Sequence, residues 1–135
     1  FAVNDARIDV GDDGRLALIV TAIGSPGQGP YYQRVFRANA DGTDLREVAN
    51  LDSPRIAGMV DIAVGPDEDI FVLTMQGSAG EPYVDEIHRI DTNRQVSRVV
   101  HVCGGRDPEG IDVDPSGNIW FGTTVGIFRA VPVPG

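Results

Sequence analysis

An internal repeat restricts the fold of this chain more than any other feature of its sequence. Three apolar stretches begin in the same way and lie 54 and 49 residues apart: Ile8-Asp9-Val10, Ile62-Ala63-Val64 and Ile111-Asp112-Val113. In each copy a second apolar run begins eight residues later, at Leu16, Ile70 and Ile119. The chain is therefore expected to fold as three versions of one structural unit.

Between the two runs of each copy lies a short segment rich in Gly, Pro, Asp and Asn, residues that favour tight turns. These segments are Gly11-Asp12-Asp13-Gly14, Gly65-Pro66-Asp67-Glu68-Asp69 and Asp114-Pro115-Ser116-Gly117-Asn118. They predict three β-hairpins. The second run of each hairpin is almost continuously apolar, which predicts strands covered on both faces. Since the sequence has no amphipathic helical stretch, other sheets are expected to cover them.

A third strand is predicted in every copy, where an apolar residue, a ring and an arginine recur in that order: Val35-Phe36-Arg37, Ile87-His88-Arg89 and Ile127-Phe128-Arg129. A fourth strand follows in the first two copies, at Leu45 to Leu51 and Val96 to Val102. The third copy is followed by residues 131–135, whose prolines lack N–H donors and suit only an edge or a tail.

Four antiparallel strands in about 50 residues are the plan of a β-propeller blade. We therefore expect an all-β fold of about two and a half four-stranded blades, forming one partial domain over residues 1–135. The expected bounds are about 6–51 for the first blade, about 58–102 for the second and about 107–131 for an incomplete third. Because propellers close with roughly four to eight blades, we expect another copy or a different chain to complete the ring, unless the chain is part of a longer polypeptide.

The stretch Gly110 to Arg129, reading GIDVDPSGNIWFGTTVGIFR, resembles the repeats of the NHL, virginiamycin B lyase and two-component-regulator propeller families. Their shared pattern is an apolar strand, Asp-x-x-Gly-Asn, an aromatic strand and Gly-aromatic-Arg. The resemblance covers all three copies and implies the propeller fold. It implies no single function, because proteins that share a fold host many activities.

The charge balance argues against two classes of partner. The chain has 11 Lys and Arg against 20 Asp and Glu, a formal net charge of −9, which opposes binding to nucleic acid and to anionic membranes. No apolar run approaches the roughly 18 to 20 residues that cross a bilayer, so we expect no membrane insertion. One cysteine allows no disulfide within the chain. The start on Phe1 suits a processing site, a cloning boundary or a fragment, and a cleaved secretory signal would favour a secreted or periplasmic location.

One segment has the spacing of a calcium site. Asp112, Asp114 and Ser116, followed by Gly117, match the first half of an EF-hand loop, in which alternating oxygens converge on the ion. The closing Glu of such a loop is replaced by Thr123. A structural hairpin explains the segment more simply, so we expect no cofactor, with calcium as the alternative.

Three other side chains suit zinc. His101 and Cys103 would share one face of a strand, and His88 is expected on the strand beside it. A fourth ligand is not evident in the sequence, and ordinary packing explains these residues better, so we expect no metal site here. We also expect the recurring Arg37, Arg89 and Arg129 to pair with carboxylates or carbonyls of adjacent blades.

Ligands of propellers usually bind at the face that carries the loops between the second and third strands and the connections entering each first strand. Here those segments are 24–32, 52–58, 76–85 and 104–109. Their aromatic and charged side chains could recognise a polar small molecule, a sugar or a protein loop. The candidate ligand-binding residues are Tyr31, Arg55, Tyr83, Arg106, Asp107 and Glu109. Solvated loops are the simpler explanation.

The sequence favours a non-catalytic propeller portion that acts as a binding or assembly scaffold and completes its ring with another chain. No complete set of catalytic residues is apparent, and the blade count is too low for closure. The alternative is part of a propeller enzyme of the lyase or metal-dependent lactonase type, with its site at the central channel. In that case Asp5, Asp107 and Glu109 would be the carboxylates to test.

Overall fold

The computed structural model describes residues 2–23, 32–52, 56–76, 84–102 and 108–130, although not every side chain near the ends of these ranges. These ranges form eleven strands. They are β1 (Ala2–Val10), β2 (Leu16–Ile23), β3 (Tyr32–Ala38), β4 (Arg46–Asn50), β5 (Ile56–Val64), β6 (Ile70–Gln76), β7 (Val84–Ile90), β8 (Val96–Val102), β9 (Pro108–Val113), β10 (Ile119–Thr123) and β11 (Gly126–Ala130).

The strands form three antiparallel meanders, which we call blade 1 (β1 to β4), blade 2 (β5 to β8) and blade 3 (β9 to β11). In every blade, strands that follow each other in the chain are neighbours in the sheet. This architecture confirms the predicted all-β class and the partial propeller. Within the described ranges, no helix has the length and apolar character needed to span a bilayer.

The first hairpins of the three blades have the same register. Ile8 pairs with Leu18 in blade 1, and the matching pairs are Ile62 with Val72 and Ile111 with Phe121. The burial and contacts of a residue in one blade can therefore be compared directly with those of its equivalents in the other two blades.

The three turns also match in backbone conformation. The residue at one turn position has a positive φ in every copy, with values of 79° for Gly14, 64° for Glu68 and 84° for Gly117. Glycine adopts this conformation without steric cost, whereas a residue with a side chain is strained there. Glu68 therefore carries a side chain at a position where the backbone conformation favours glycine. The contacts of this side chain are described below.

Blade 2 packs between blades 1 and 3, and an apolar cluster fills each gap. The gap between blades 1 and 2 holds the buried residues Ala17, Ile19, Val35, Ala49, Leu51, Met59, Ile62, Ile70, Val72 and Ile90. The gap between blades 2 and 3 holds Ala63, Phe71, Leu73, Ile87, Ile111, Ile119 and Phe121. In the second cluster the rings of Phe121 and Phe128 stack with centroids 5.5 Å apart.

The prediction that every second strand is covered on both faces is correct only for blade 2. Residues 70–74 of β6 are all buried, whereas β2 and β10 alternate between buried and more exposed positions. The reason is the order of the sheets: blade 2 has a neighbour on each side, and blades 1 and 3 each have one among the described residues. The other face of blade 1 and the other face of blade 3 have no neighbouring blade among the described residues, and we call each of them an outward face.

Candidate functional site

Most of the ligand-binding residues predicted from the sequence fall outside the described residues. This is true of Tyr31, Arg55, Tyr83, Arg106 and Asp107. Glu109 is described, and it lies exposed on β9. The role of the whole set stays a prediction.

Glu109 borders a shallow open depression of about 390 Å³ on blade 3. The floor of this depression includes Trp120 of β10 and Ile127 of β11, and its acidic margin includes Asp61 and Asp112. Trp120 and Ile127 are exposed apolar residues. The predicted carboxylate therefore lies beside the outward apolar face of blade 3.

A polar cluster on blade 1 escaped the sequence analysis, although two of its members lie in the predicted rim segments. Arg34 donates to both oxygens of Asp52, from Nε at 3.1 Å and Nη2 at 2.8 Å. Its Nη1 donates to Glu47 at 3.0 Å, and its guanidinium lies 4.1 Å from the ring centroid of Tyr32. The hydrogen bond from Arg34 lowers the pKa of the Asp52 carboxyl. The cluster ties the start of β3 to the residues that follow β4.

Blade 2 has the opposite charges at the equivalent positions. Glu86 takes the place of Arg34, and Arg98 takes the place of Glu47, with Arg98 Nη1 donating to Glu86 Oε1 at 3.1 Å. The ion pair across the third and fourth strands is thus kept while its polarity is reversed. Its position, rather than either charge, is what the two blades share.

The two histidines considered for zinc contact that same carboxylate. Glu86 lies 2.9 Å from Nδ1 of His101 and 3.2 Å from Nε2 of His88. Burial lowers the pKa of His88, although the neighbouring Glu86 opposes this shift. Cys103 lies outside the described residues. Among the residues that are described, no three His, Cys, Asp or Glu side chains are arranged to hold a metal ion.

The segment with calcium-loop spacing is a hairpin whose turn is held by Asp114. Its Oδ1 accepts from the backbone N–H groups of Ser116 and Asn118, both at 2.9 Å. Its Oδ2 accepts from Asn118 Nδ2 and from Trp120 Nε1, both at 3.0 Å. The hydrogen bonds from Trp120 and Asn118 lower the pKa of Asp114 to about 2. Both carboxylate oxygens thus serve the turn, as the hairpin interpretation requires.

The lowered pKa of Asp114 predicts a loss of stability in acid. A carboxyl whose pKa falls on folding stabilises the protein above its unfolded value of about 4, and this contribution disappears as the pH falls towards about 2. We expect Asp114→Asn to lower the melting temperature near neutral pH and to match the wild type near pH 2. Melting followed by the fluorescence of Trp120, the only tryptophan, measures this.

Asp41→Asn is the control for this experiment, because Asp41 holds a turn through Thr43 and does not contact the tryptophan. The control should leave the fluorescence of folded Trp120 unchanged. If the difference between Asp114→Asn and the wild type were independent of pH, the hydrogen bonds of Asp114 would not govern its titration.

The recurring arginines make different contacts in the three blades. Arg37 of blade 1 reaches into blade 2, where Nη2 donates to Glu68 Oε2 at 2.8 Å and to the Glu68 carbonyl at 3.3 Å. Arg89 instead pairs with Asp69 of its own blade, with Nε 2.7 Å from Oδ2. Arg129 lies over the ring of Trp120, 5.6 Å from its centroid, also within one blade. The predicted contact with an adjacent blade is therefore confirmed for Arg37 and wrong for Arg89 among the described residues. For Arg129 it stays a prediction, because no described blade follows blade 3.

Carboxylates of the first strands join neighbouring blades. Asp9 of β1 accepts from the backbone N–H of Val64 in β5 at 2.8 Å. Asp61 of β5 accepts in turn from the N–H of Ile111 in β9 at 3.0 Å. Each blade is thus tied to the next by a side chain of one first strand and the backbone of the following one.

The outward faces of blades 1 and 3 consist of positions that are buried elsewhere in the molecule. Ile8 is 58% exposed, whereas its equivalents Ile62 and Ile111 are 3% and 8% exposed. On the other outward face, Ile127 is 79% exposed, whereas its equivalents Val35 and Ile87 are 0% and 1% exposed. The same sequence position is therefore buried wherever a neighbouring blade is present.

No protein-family model and no curated protein matches the chain. Solved propellers are similar to it in fold. The β-propeller domain of the Trilobed protease from Pyrococcus furiosus, described as having an open velcro topology, matches over 96% of this chain with 13% identity and a TM-score of 0.50. This chain spans 42% of the length of that one. At such an identity the likeness shows the propeller fold and nothing about activity.

Two lyase structures show weaker similarity. A streptogramin B lyase matches over 90% of this chain and 63% of its own, with 14% identity and a TM-score of 0.33. The virginiamycin B lyase from Staphylococcus aureus matches over 95% of this chain and 70% of its own, with 14% identity and a TM-score of 0.27. With such TM-scores, neither lyase supports an argument about this chain.

Proposed function

We propose that this chain is a non-catalytic portion of a β-propeller that serves as a binding or assembly scaffold, with another protein chain covering its two outward blade faces. One observation carries the proposal: Ile8 and Ile127 are exposed on blades 1 and 3, while their equivalents inside the molecule are buried. Soluble monomers rarely expose large contiguous apolar surfaces, and such surfaces mark interaction sites.

The composition of the two faces supports this function. On blade 1, the apolar side chains of the outward face come from the pairs Ile8–Leu18 and Val10–Leu16, and from Phe36 opposite Leu18. On blade 3, the outward face presents Trp120 and Ile127. Charged side chains share these faces, with Glu47 opposite Phe36 on blade 1 and with Asp112 and Arg129 opposite Trp120 on blade 3. Protein interfaces likewise combine apolar side chains at the centre with polar side chains at the rim.

The mass of the native assembly tests this function. Native mass spectrometry and light scattering of the purified chain are expected to show an assembly of at least two chains, because Ile8 and Ile127 are both exposed in a single copy. A single species with the mass of one chain, unfolding in one cooperative transition, would contradict the proposal.

A further inference from the structure

We propose that the covering chain is a second copy of this protein, and that blade 3 of each copy packs on blade 1 of the other to close a ring of six blades. This inference rests on the proposed function and specifies its partner. The two blade interfaces inside the chain supply the template, because they show which side chains meet when one blade follows another.

The apolar face of blade 1 fits the template. At each internal interface, the face that leads to the next blade packs against a face built around Ile62 and Val72 in blade 2, or Ile111 and Phe121 in blade 3. The equivalent residues on the outward face of blade 1 are Ile8 and Leu18, which pair across the hairpin in the same register. In a second copy, blade 1 would therefore offer blade 3 of the first copy a surface like those that blades 2 and 3 offer to the blade before them.

The charges also fit. At the interface between blades 1 and 2, Arg37 pairs with an acidic residue in the first turn of the following blade. Its equivalent in blade 3 is Arg129, which is exposed. The first turn of blade 1 in a second copy would offer Asp12 and Asp13, both exposed. The position of Glu68 is occupied by Gly14 in blade 1, so the carboxylates within reach of Arg129 would be those of Asp12 and Asp13 in the same turn.

A third contact follows from the first strands. Asp112 of β9 is the equivalent of Asp9, which bonds the N–H of Val64 in the following blade. In the described chain, Asp112 is exposed and accepts from the N–H of Val113, its own neighbour, at 2.8 Å. Val10 is the equivalent of Val64. In the proposed ring, Asp112 of one copy would therefore accept a hydrogen bond from the N–H of Val10 in the other copy.

Two copies joined in this way form two identical interfaces related by a two-fold axis along the channel, so the assembly closes without leaving an outward face. Six blades lie within the range of roughly four to eight in which propellers close. The pairing is head to tail: the face of blade 1 never meets another blade 1, and this distinguishes it from an ordinary face-to-face dimer.

Two variants test the head-to-tail arrangement. Ile8→Arg places a charge on the outward face of blade 1, and Ile127→Arg places one on the outward face of blade 3. Either change affects both interfaces of the ring, so each variant alone is expected to dissociate at least about 100-fold more readily than the wild type. A mixture of the two retains one unaltered interface and is expected to form mixed dimers. Native mass spectrometry with one variant labelled in 15N counts the copies of each.

Leu45→Arg is the matched control, because Leu45 is an exposed apolar residue that precedes β4 and belongs to no strand. It should leave the wild-type dimer intact. Circular dichroism checks that all three variants keep their strands. A dimer that persists in Ile8→Arg alone would show face-to-face pairing and overturn this inference, while leaving the proposed scaffold function in place. A head-to-tail chain longer than two copies would overturn ring closure, and a wild-type monomer would contradict both proposals.

Discussion

Replacing Ile87 by Ala is expected to lower the free energy of unfolding by about 2–5 kcal/mol, whereas the same change at Ile127 leaves it nearly unchanged in dilute protein. The two residues occupy equivalent positions on their third strands. Ile87 is buried between blades 2 and 3, and its removal leaves a cavity beside Leu73, its cross-strand partner. Ile127 pairs with Gly122 and faces outward. Urea unfolding of both variants at low protein concentration measures the difference.

Measuring the Ile87→Ala and Ile127→Ala variants at several protein concentrations separates their effects on folding from their effects on association. If another chain covers blade 3, Ile127→Ala should begin to destabilise the protein once the wild type associates, because the isoleucine is then removed from water. The cost of Ile87→Ala should not depend on concentration in the same way. Equal costs for both variants in dilute protein would mean that Ile127 is already covered within a single chain.

Replacing Glu68 by Ala is expected to destabilise the protein by about 3 kcal/mol, because it leaves the Arg37 guanidinium buried without its carboxylate. The side chain of Arg37 is 7% exposed, and its Nη1 has no hydrogen-bond partner among the described residues. Glu68 also accepts from the N–H of Asp13 at 3.1 Å, so the same carboxylate joins two points of blade 1 to blade 2. A Cβ on Gly11 would overlap this carboxylate, so the absence of a side chain there makes room for it.

A second variant, Glu68→Gly, separates the effect of losing the ion pair with Arg37 from the effect of the strained backbone conformation at residue 68. Glu68 has a φ of 64°, in the left-handed region that favours glycine, so the glycine variant loses the ion pair but gains about 1 kcal/mol relative to the alanine variant. Chemical denaturation of both variants measures the two effects. A glycine variant as stable as the wild type would show that the Glu68 carboxylate contributes no more than about 1 kcal/mol.

The repeat made the hairpins predictable, but it did not reveal where the first strands begin. Apolar runs eight residues apart, with turn residues between them, specify both the pairing and the register. β1 begins at Ala2 and β5 at Ile56, before the apolar repeats that predict these strands. The register of β1 is irregular between Val3 and Asp5, and that of β5 is irregular at two places between Ile56 and Asp61. An irregularity of this kind has no periodic signature.

The polar contacts were harder to predict than the strands, since they depend on which side chain lies opposite which. The pair Arg34 and Asp52 joins residues that are distant in the sequence, and no local motif indicates it. The arginine repeat did indicate a structural role. Its partner could not be read from the repeat, however, because Gly117 replaces Glu68 in blade 3 and offers no carboxylate to Arg89. Arg89 pairs instead with Asp69, whose equivalent in blade 1 is Arg15, so two positions differ between the blades.

The links that Asp9 and Asp61 make to the following blade have a further consequence, for aggregation. The first strand of each sheet is an edge strand, and free N–H groups along an edge invite a strand from another molecule to add to the sheet. At Val64 and Ile111 a carboxylate from the preceding blade already occupies the N–H. An incoming strand would have to displace a charged group that also holds two blades together. The contacts that join successive blades therefore also obstruct strand addition at these two points of their edges.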